Sequence, residues 1–203
     1  MQHLYTPASI LYKECAVRFV EHIKKATNGR VNITLYSAGS LVPTAEAINA
    51  LGARVVDVLD HVAFYEIGRM PMGNFCVWVP FSTKYPHEWW NYHYRLGQLE
   101  RMREAYAKLN VFYIGMTFQT GYGQLYSKKP IKTLADFKGL KVRAGGGIAK
   151  LYEALGAKCL LVPIGETYTA ITTGVVDAAT LGAESTMVDQ KLHEVAKYYV
   201  LPY

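Results

Sequence analysis

Leu140-Lys141-Val142-Arg143, followed at once by Ala144-Gly145-Gly146-Gly147 and then by Ile148, Leu151, Tyr152 and Leu155, decides how this chain is read. An aliphatic run ends in an arginine, a glycine turn follows, and apolar residues then recur at helical spacing. The order predicts a strand, a sharp turn and a helix, with a guanidinium at the strand's carboxyl end beside the free amides that open the helix. Both features attract anions. Arginine offers a planar fork of donors, and a helix start offers unpaired N–H groups and a partial positive charge. These residues point to a binding site for a small organic acid, its carboxylate seated on Arg143.

Working outward, residues 158–162 read as a strand ended by Pro163, residues 165–174 as a brief helix with a glycine stop, and residues 175–181 as another strand. Residues 187–195 are helical in pattern. On the other side, Thr133 caps and Gly139 ends a short helical turn, and residues 111–116 and 122–127 read as strands. Residues 9–28 place Leu11, Cys15, Phe19 and Ile23 at four-residue steps, the stripe of an amphipathic helix, with Asn28-Gly29 as a left-handed stop. Strands at 31–36 and 55–61 flank a helix that begins near Pro43 and Thr44 and runs through Leu51. Residues 64–86 are irregular, aromatic and broken by Pro71, Pro80 and Pro86, and one long helix is expected over 86–109. Strands alternating with helices imply an α/β fold with mostly parallel sheets. In such sheets ligands bind beyond the carboxyl ends of strands.

The composition sets broad bounds. With 203 residues, 51% hydrophobic and 19% charged, the chain is of a globular class rather than a disordered one. No apolar run has the length of a bilayer span. The first residues, Met1-Gln2-His3-Leu4-Tyr5-Thr6-Pro7, lack a basic region and a long apolar segment, so a signal peptide is either absent or removed. A net charge of +6 suits acidic partners without choosing among them. No nucleic-acid-binding motif accompanies it, so no nucleic acid partner is expected. Cys15, Cys76 and Cys159 lie in apolar patterns, allow at most one disulfide, and do not settle the compartment.

Catalytic and metal motifs are missing. His87-Glu88-Trp89-Trp90-Asn91 lacks the second histidine that H-E-x-x-H zinc chemistry needs, and His87 and His93 read as packing or capping residues. Gly145-Gly146-Gly147 invites a nucleotide, but Lys150 stands where the third glycine of G-x-G-x-x-G belongs, and no P-loop occurs. A nucleotide-dependent oxidoreductase is kept as the alternative. There is no nucleophile elbow, and Asp57 and Asp60 would face opposite sides of one strand. The expectation is a protein that is not an enzyme, with no catalytic residues, no metal and no cofactor.

The run from Lys129-Pro130-Ile131-Lys132-Thr133-Leu134 through Ala135-Asp136-Phe137-Lys138-Gly139 to Leu140-Lys141-Val142-Arg143 resembles the signature of TRAP-transporter solute-binding proteins of the dicarboxylate-binding (DctP) type. Leu155-Gly156-Ala157, Pro163, Gly165-Glu166-Thr167-Tyr168 and Gly174-Val175-Val176-Asp177 follow in the family's order. Asn28-Gly29-Arg30-Val31, Ser40-Leu41 and Ala53-Arg54-Val55-Val56-Asp57 resemble its first lobe. The resemblance implies a periplasmic-binding-protein-like architecture of two α/β lobes joined by crossing segments, closing on an organic acid and delivering it to the permease subunits of a TRAP transporter. It implies a periplasmic location. Residues 1–120 would form mainly the first lobe, and residues 121–203 the crossing strand and second lobe. Relatives are longer, so the architecture is expected to be incomplete at both ends.

By the same resemblance Arg143 is the arginine that pairs with the substrate carboxylate. Thr180 and Leu181 would wall the pocket, standing where many relatives place Asn or a metal-holding Glu-Trp pair. Gly123 stands where some relatives carry a second arginine. Tyr122 would hydrogen-bond a ligand oxygen or simply pack. Glu184 would pair with a ligand hydroxyl or with Arg143 itself, and Phe81 and His61 would line the site or pack beside it. Glu166 and Asp177 are assigned to capping and turn formation. An organic-acid-sensing domain of a signalling protein is the remaining alternative.

Overall fold

A computed structural model of the chain describes residues 1–203 except 77, 78, 80, 81, 84, 118–124, 183 and 201–203. The chain forms two compact units that are discontinuous in sequence: Met1–Val62 with Arg103–Thr117, and Ala63–Met102 with Phe118–Tyr203. No described helix is long and apolar enough to cross a membrane.

In the first unit the expected N-terminal helix is present in two pieces, a π-helical segment Tyr12–Val17 and α1 (Arg18–Ala26). Asn28 and Gly29 end it at φ 49° and 75°, the left-handed stop that their residue types favour. The 3-10 turn Thr44–Glu46 leads into α2 (Ala47–Gly52). The strands expected at 31–36 and 55–61 do not form ladders. Only Tyr36 and Leu59 bridge, each in parallel fashion, to Gln2. The amides of His3 and Gln2 donate to Tyr36 and Val58 at 2.9 and 3.0 Å. The buried Gln2 side chain then fixes residues 41 and 42: its Oε1 accepts both amides at 2.9 and 3.1 Å, and its Nε2 donates to the Val42 carbonyl at 3.0 Å. A polar residue at the N-terminus, too short a segment to register as periodic, thus joins two apolar segments. Residues 111–116 also form no strand. They are held by two residues of the preceding helix: Arg103 Nε donates to the Tyr113 carbonyl at 3.3 Å and Tyr106 stacks on Tyr113 at 5.2 Å.

The long helix expected over 86–109 is two helices, α3 (Pro86–Arg95) and α4 (Gln98–Ala107). Gly97 breaks it at φ 84°, a conformation glycine adopts without a Cβ clash. At the start, Pro86 occupies the first turn and the Tyr85 amide donates to Glu88 at 2.8 Å. At the break, buried His93 meets Gln98 at 2.8 Å, and Gln98 donates to the Phe75 carbonyl at 2.8 Å. His93 is the packing residue expected.

The second unit carries the sheet: β1 (Leu125–Ser127), β2 (Lys141–Arg143), β3 (Lys158–Leu160), β4 (Ala178–Thr180) and β5 (Tyr198–Val200). Their order is β3-β2-β4-β1-β5. The β2–β3 and β2–β4 pairs are parallel, while β1 is antiparallel to both β4 and β5. Four strands therefore run one way and β1 the other, in agreement with the mostly parallel sheet expected. The helices α5 (Gly147–Ala154) and α6 (Thr167–Thr172) make the two crossovers, β2 to β3 and β3 to β4. The short helices α7 (Glu184–Asp189) and α8 (Leu192–Val195) lead to β5. They are parted by Lys191 at φ 54° where one helix over 187–195 was expected.

Small residues make the sheet's centre thin. Val142, Ala178 and Ala179 are fully buried, as befits strands covered on both faces. Capping sets the register. The Asp136 carboxylate accepts the Lys132 and Thr133 amides at 2.8 and 2.7 Å, which holds it below the usual carboxylate range. It thereby fixes the 3-10 turn Leu134–Phe137. Asp177 clamps β2 to the start of β4, its amide donating to Lys141 O at 2.7 Å and its carboxylate accepting the Lys141 amide at 3.2 Å. The three cysteines form no disulfide, and burial pushes the Cys76 thiol up to about 12.

Tyr126 of β1 faces Tyr199 of β5 across the ladder, their rings stacked at 4.9 Å, and the Tyr199 hydroxyl donates to Glu184 at 2.9 Å. Burial raises the Tyr126 phenol from 10.0 to about 12 and also raises Tyr199. The folded state keeps protons that an unfolded chain would release. The associated stability is therefore complete below pH 10.0 and lost as pH rises toward about 12. Urea-unfolding midpoints are expected to hold up to that lower value and then fall. In Tyr126→Phe the alkaline fall should be shallower, because the shifted phenol is gone; an unchanged slope would contradict this account.

Candidate functional site

Arg143 closes β2, opposite Leu160 of β3 and Ala179 of β4. Its side chain is fully buried. Nε donates to the Val162 carbonyl at 2.9 Å and Nη1 to the Thr180 carbonyl at 2.8 Å, while Nη2 reaches the Tyr65 hydroxyl at 3.4 Å. The guanidinium carbon lies 5.8 Å from the centroid of the buried Phe64 ring, within cation–π range. Val162 lies two residues past β3, and Thr180 ends β4. The guanidinium therefore bridges the carboxyl ends of the two strands that flank its own. All three oxygens are neutral. They satisfy donors that would be costly to leave unpaired in the interior, and none of the three cancels the positive charge.

The topology supports this position. From β2 the chain leaves through α5 toward β3 on one side. From β4 it leaves through α7 and α8 toward β5, beyond β1 on the other. Where neighbouring strands send their connections in opposite directions, an α/β sheet leaves room for a ligand at the strand ends. Arg143 and Thr180 are the residues at those two ends.

The glycine turn is explained by close approach. A Cβ on Gly145 would lie 2.7 and 3.0 Å from Phe64 ring carbons and 2.9 Å from Leu161 Cδ1. Gly146, the residue before α5, has φ 67° and ψ −152°, a region that is essentially restricted to glycine. Both glycines are accounted for by packing and turn geometry without any phosphate.

Tyr65 meets the cation directly, and Tyr152 is bonded to the hydroxyl of Thr180, whose carbonyl the cation holds. Burial raises Tyr65 above its ordinary value, and the Arg143 charge opposes the shift without reversing it. Burial also raises Tyr152, against the hydrogen bond from Thr180 Oγ1 at 3.1 Å. Both are neutral hydroxyls at neutral pH, able to donate as well as accept.

Of the residues singled out in the sequence, the structure brings Thr180 to Arg143, through the main-chain carbonyl; the Thr180 hydroxyl is committed to Tyr152. Leu181 follows, fully buried. Glu184 is exposed at the start of α7 and accepts from Tyr199. His61 is half-buried and belongs to the first unit, whereas Arg143 belongs to the second. Phe81 and Tyr122 lie outside the described residues. The sequence reading missed Phe64, Tyr65, Tyr152 and Val162. Val162 acts through its carbonyl, which no side-chain pattern reveals. Phe64 and Tyr65 were visible only as adjacent aromatics in a stretch without periodicity. Among the described residues no three His, Cys, Asp or Glu side chains form a metal-binding group.

Comparison with known proteins gives a consistent set. The family model DctP, bacterial extracellular solute-binding protein family 7, matches residues 1–203. The chain is 32% identical over 184 residues to a monocarboxylate 2-oxoacid-binding periplasmic protein of Nostoc sp. strain PCC 7120, covering 90% of this chain and 50% of that one. It is 30% identical over 189 residues to the C4-dicarboxylate-binding periplasmic protein DctP of Rhodobacter capsulatus, covering 90% and 55%. A TRAP periplasmic solute binding protein from Pseudoalteromonas atlantica T6c, solved with bound sodium and pyruvate, matches with a TM-score of 0.87. That match has 23% identity over 100% of this chain and 61% of the other, a likeness of fold. The chain spans about half the length of the curated relatives it matches.

Gly145→Ala should destabilise the second unit by about 1–3 kcal/mol, because the new methyl overpacks a buried ring. Urea denaturation measures it. A neutral result would mean that Phe64 can move aside without cost, and the tight approach would then not be a constraint.

Proposed function

Because this chain belongs to the DctP family, the bacterial extracellular solute-binding proteins of family 7, we propose that it serves as a non-enzymatic, periplasmic receptor. It captures a small organic acid and hands it to the membrane permease subunits of a TRAP-type transporter. The observation that carries the reading is the buried guanidinium of Arg143, held at the carboxyl ends of two strands by neutral oxygens. A carboxylate meeting that fork forms charge-assisted hydrogen bonds out of water, where they are strongest.

The named relatives divide between monocarboxylate 2-oxoacids and C4-dicarboxylates. We favour the monocarboxylate. One anchored guanidinium with Phe64 against it, and the apolar Leu181 following Thr180, suits one carboxylate and a short remainder. In this reading Thr180 positions the arginine through its carbonyl and Leu181 closes the wall. Glu184, Tyr122, Phe81 and His61 are proposed as outer contacts, and the neutral Tyr65 hydroxyl as a donor to a ligand oxygen. In this reading residues 1–120 contribute mainly to the first lobe, and residues 121–203 supply the crossing strand and second lobe. Since Arg143 is enclosed, capture includes a rearrangement of the side chains that cover it, so association falls below diffusion control.

Titration calorimetry of the protein with pyruvate, a C4-dicarboxylate and a neutral amide analogue tests the proposal. Pyruvate is expected to bind more tightly than the C4-dicarboxylate, and the amide not to bind. Arg143→Ala should lose about 2–5 kcal/mol of affinity. Arg143→Lys keeps the charge and removes the fork, and should weaken binding also. Circular dichroism of both variants separates lost binding from lost folding. Undiminished binding by a folded Arg143→Ala protein would refute the assignment.

A further inference from the structure

The end of the sheet opposite Arg143 has a different chemistry. β1 finishes there, and β2, β3 and β4 begin there, so the connections at 128–140, 155–157 and 173–177 share one edge. Hydrogen bonds tie these connections together: Gly139 N to Gly156 O at 2.8 Å, Lys158 N to Leu140 O at 2.8 Å and Lys128 N to Asp177 O at 2.9 Å. Lys141 and Lys158 are register partners on adjacent strands. Lys138 lies against Gly156, whose added Cβ would come 3.4 Å from the Lys138 Cα.

Six lysines thus meet on one edge: Lys128, Lys129, Lys132, Lys138, Lys141 and Lys158. Lys128 Nζ donates to the Ile171 carbonyl at 3.0 Å and Lys141 Nζ to the Gly174 carbonyl, at the end of α6. Those two are partly spent as helix C-terminal caps. Lys129, Lys132, Lys138 and Lys158 are exposed. The nearby acids are Asp136, Asp177 and Glu153. The exposed Asp136 carboxylate and the half-buried Asp177 carboxylate accept backbone amides, and Glu153 sits in the last turn of α5, so the six lysines still outnumber these three acids. Amid the lysines, Leu134 is 69% exposed and Val175 48% exposed.

We propose that this edge is a docking surface for an anionic lipid bilayer, with lysines over the headgroups and Leu134 dipping into the interface. The residue types favour lipid over a protein partner. No arginine lies in residues 128–141, whereas protein interfaces are enriched in arginine and depleted in lysine; Tyr198, exposed where β5 begins on the same edge, is of a type that also suits a membrane interface. Lysine is a hydrated point charge that needs no fixed partner geometry, which matches a diffuse sheet of phosphate charge. A basic segment with an apolar tip is the composition of peripheral membrane contacts. This edge lies at the other end of the sheet from Arg143 and shares no residue with it.

Vesicle co-sedimentation tests it, with the protein mixed at low salt with phosphatidylcholine vesicles, with or without phosphatidylglycerol. Binding only to the anionic vesicles, weakening with added salt, is expected. Each exposed lysine should be worth about fivefold in partition, so Lys129→Gln, Lys132→Gln and Lys138→Gln combined should lower it on the order of a hundredfold. Leu134→Ser should lower it a few-fold. Lys24→Gln, Lys25→Gln and Lys108→Gln combined, the same loss of charge in the first unit, should change it much less. Equal losses in the two triple variants would reduce the effect to net charge and overturn the proposal. So would absence of binding to anionic vesicles, or capture by acidic protein alone. Acid binding measured in the same variants should be unchanged, which separates this result from any failure of the receptor reading.

Discussion

A guanidinium buried completely inside a protein is a severe constraint, and much of the second unit is arranged to meet it. Removing a cation from water costs several kcal/mol unless its donors find acceptors with good geometry. Arg143 finds two of them in carbonyls at the ends of β3 and β4. Both strands must therefore flank β2, run parallel to it and stop at the same level. The order β3-β2-β4, with three-residue strands, satisfies that condition. Gly145 has no side chain because Phe64 must approach the cation, and Gly146 turns sharply so that α5 can begin at once. The main-chain acceptors that fix the arginine's position are themselves uncharged.

What could be read from the sequence follows from how local the cause is. The turn Leu134–Phe137, the strand carrying Arg143 and the stops at Gly139 and Gly174 are set by residues a few positions apart, and they stand where the sequence places them. The break at Gly97 was missed because the apolar pattern continues across it. A single glycine in a helical pattern is often tolerated, and the left-handed conformation here is stabilised by a His93–Gln98 contact that bridges the two helices. Residues 31–36 alternate in polarity and residues 55–61 are rich in valine and leucine, yet such patterns report which side chains are covered, not whether a ladder forms. Here the pairing runs through Gln2, a residue with no hydrophobic signal.

The site was legible only in part for the same reason. Arg143 stands at a strand end followed by glycines, a local pattern. Its partners are an aromatic pair some 78 positions away, in the case of Tyr65, and carbonyls, which every residue possesses. Thr180 was singled out for its side chain and contributes its carbonyl instead, its hydroxyl serving Tyr152.

The two ends of the sheet carry the same sign of charge in opposite states of solvation, and the difference in residue type follows from that. At the carboxyl end a planar, weakly hydrated guanidinium is held dry in one orientation, where directional hydrogen bonds can discriminate a ligand. At the amino end compact ammonium groups remain in water on flexible stems, where they sum into a field but recognise no particular geometry. Exchanging the two would serve neither end. A lysine inside could not reach both the Val162 and Thr180 carbonyls while presenting a flat face. An arginine fork outside would lose its directional advantage to water. In the proposed reading selectivity belongs to the buried end and long-range attraction to the exposed one, and a single short sheet can support both because its strands are anchored at each end by different bonds.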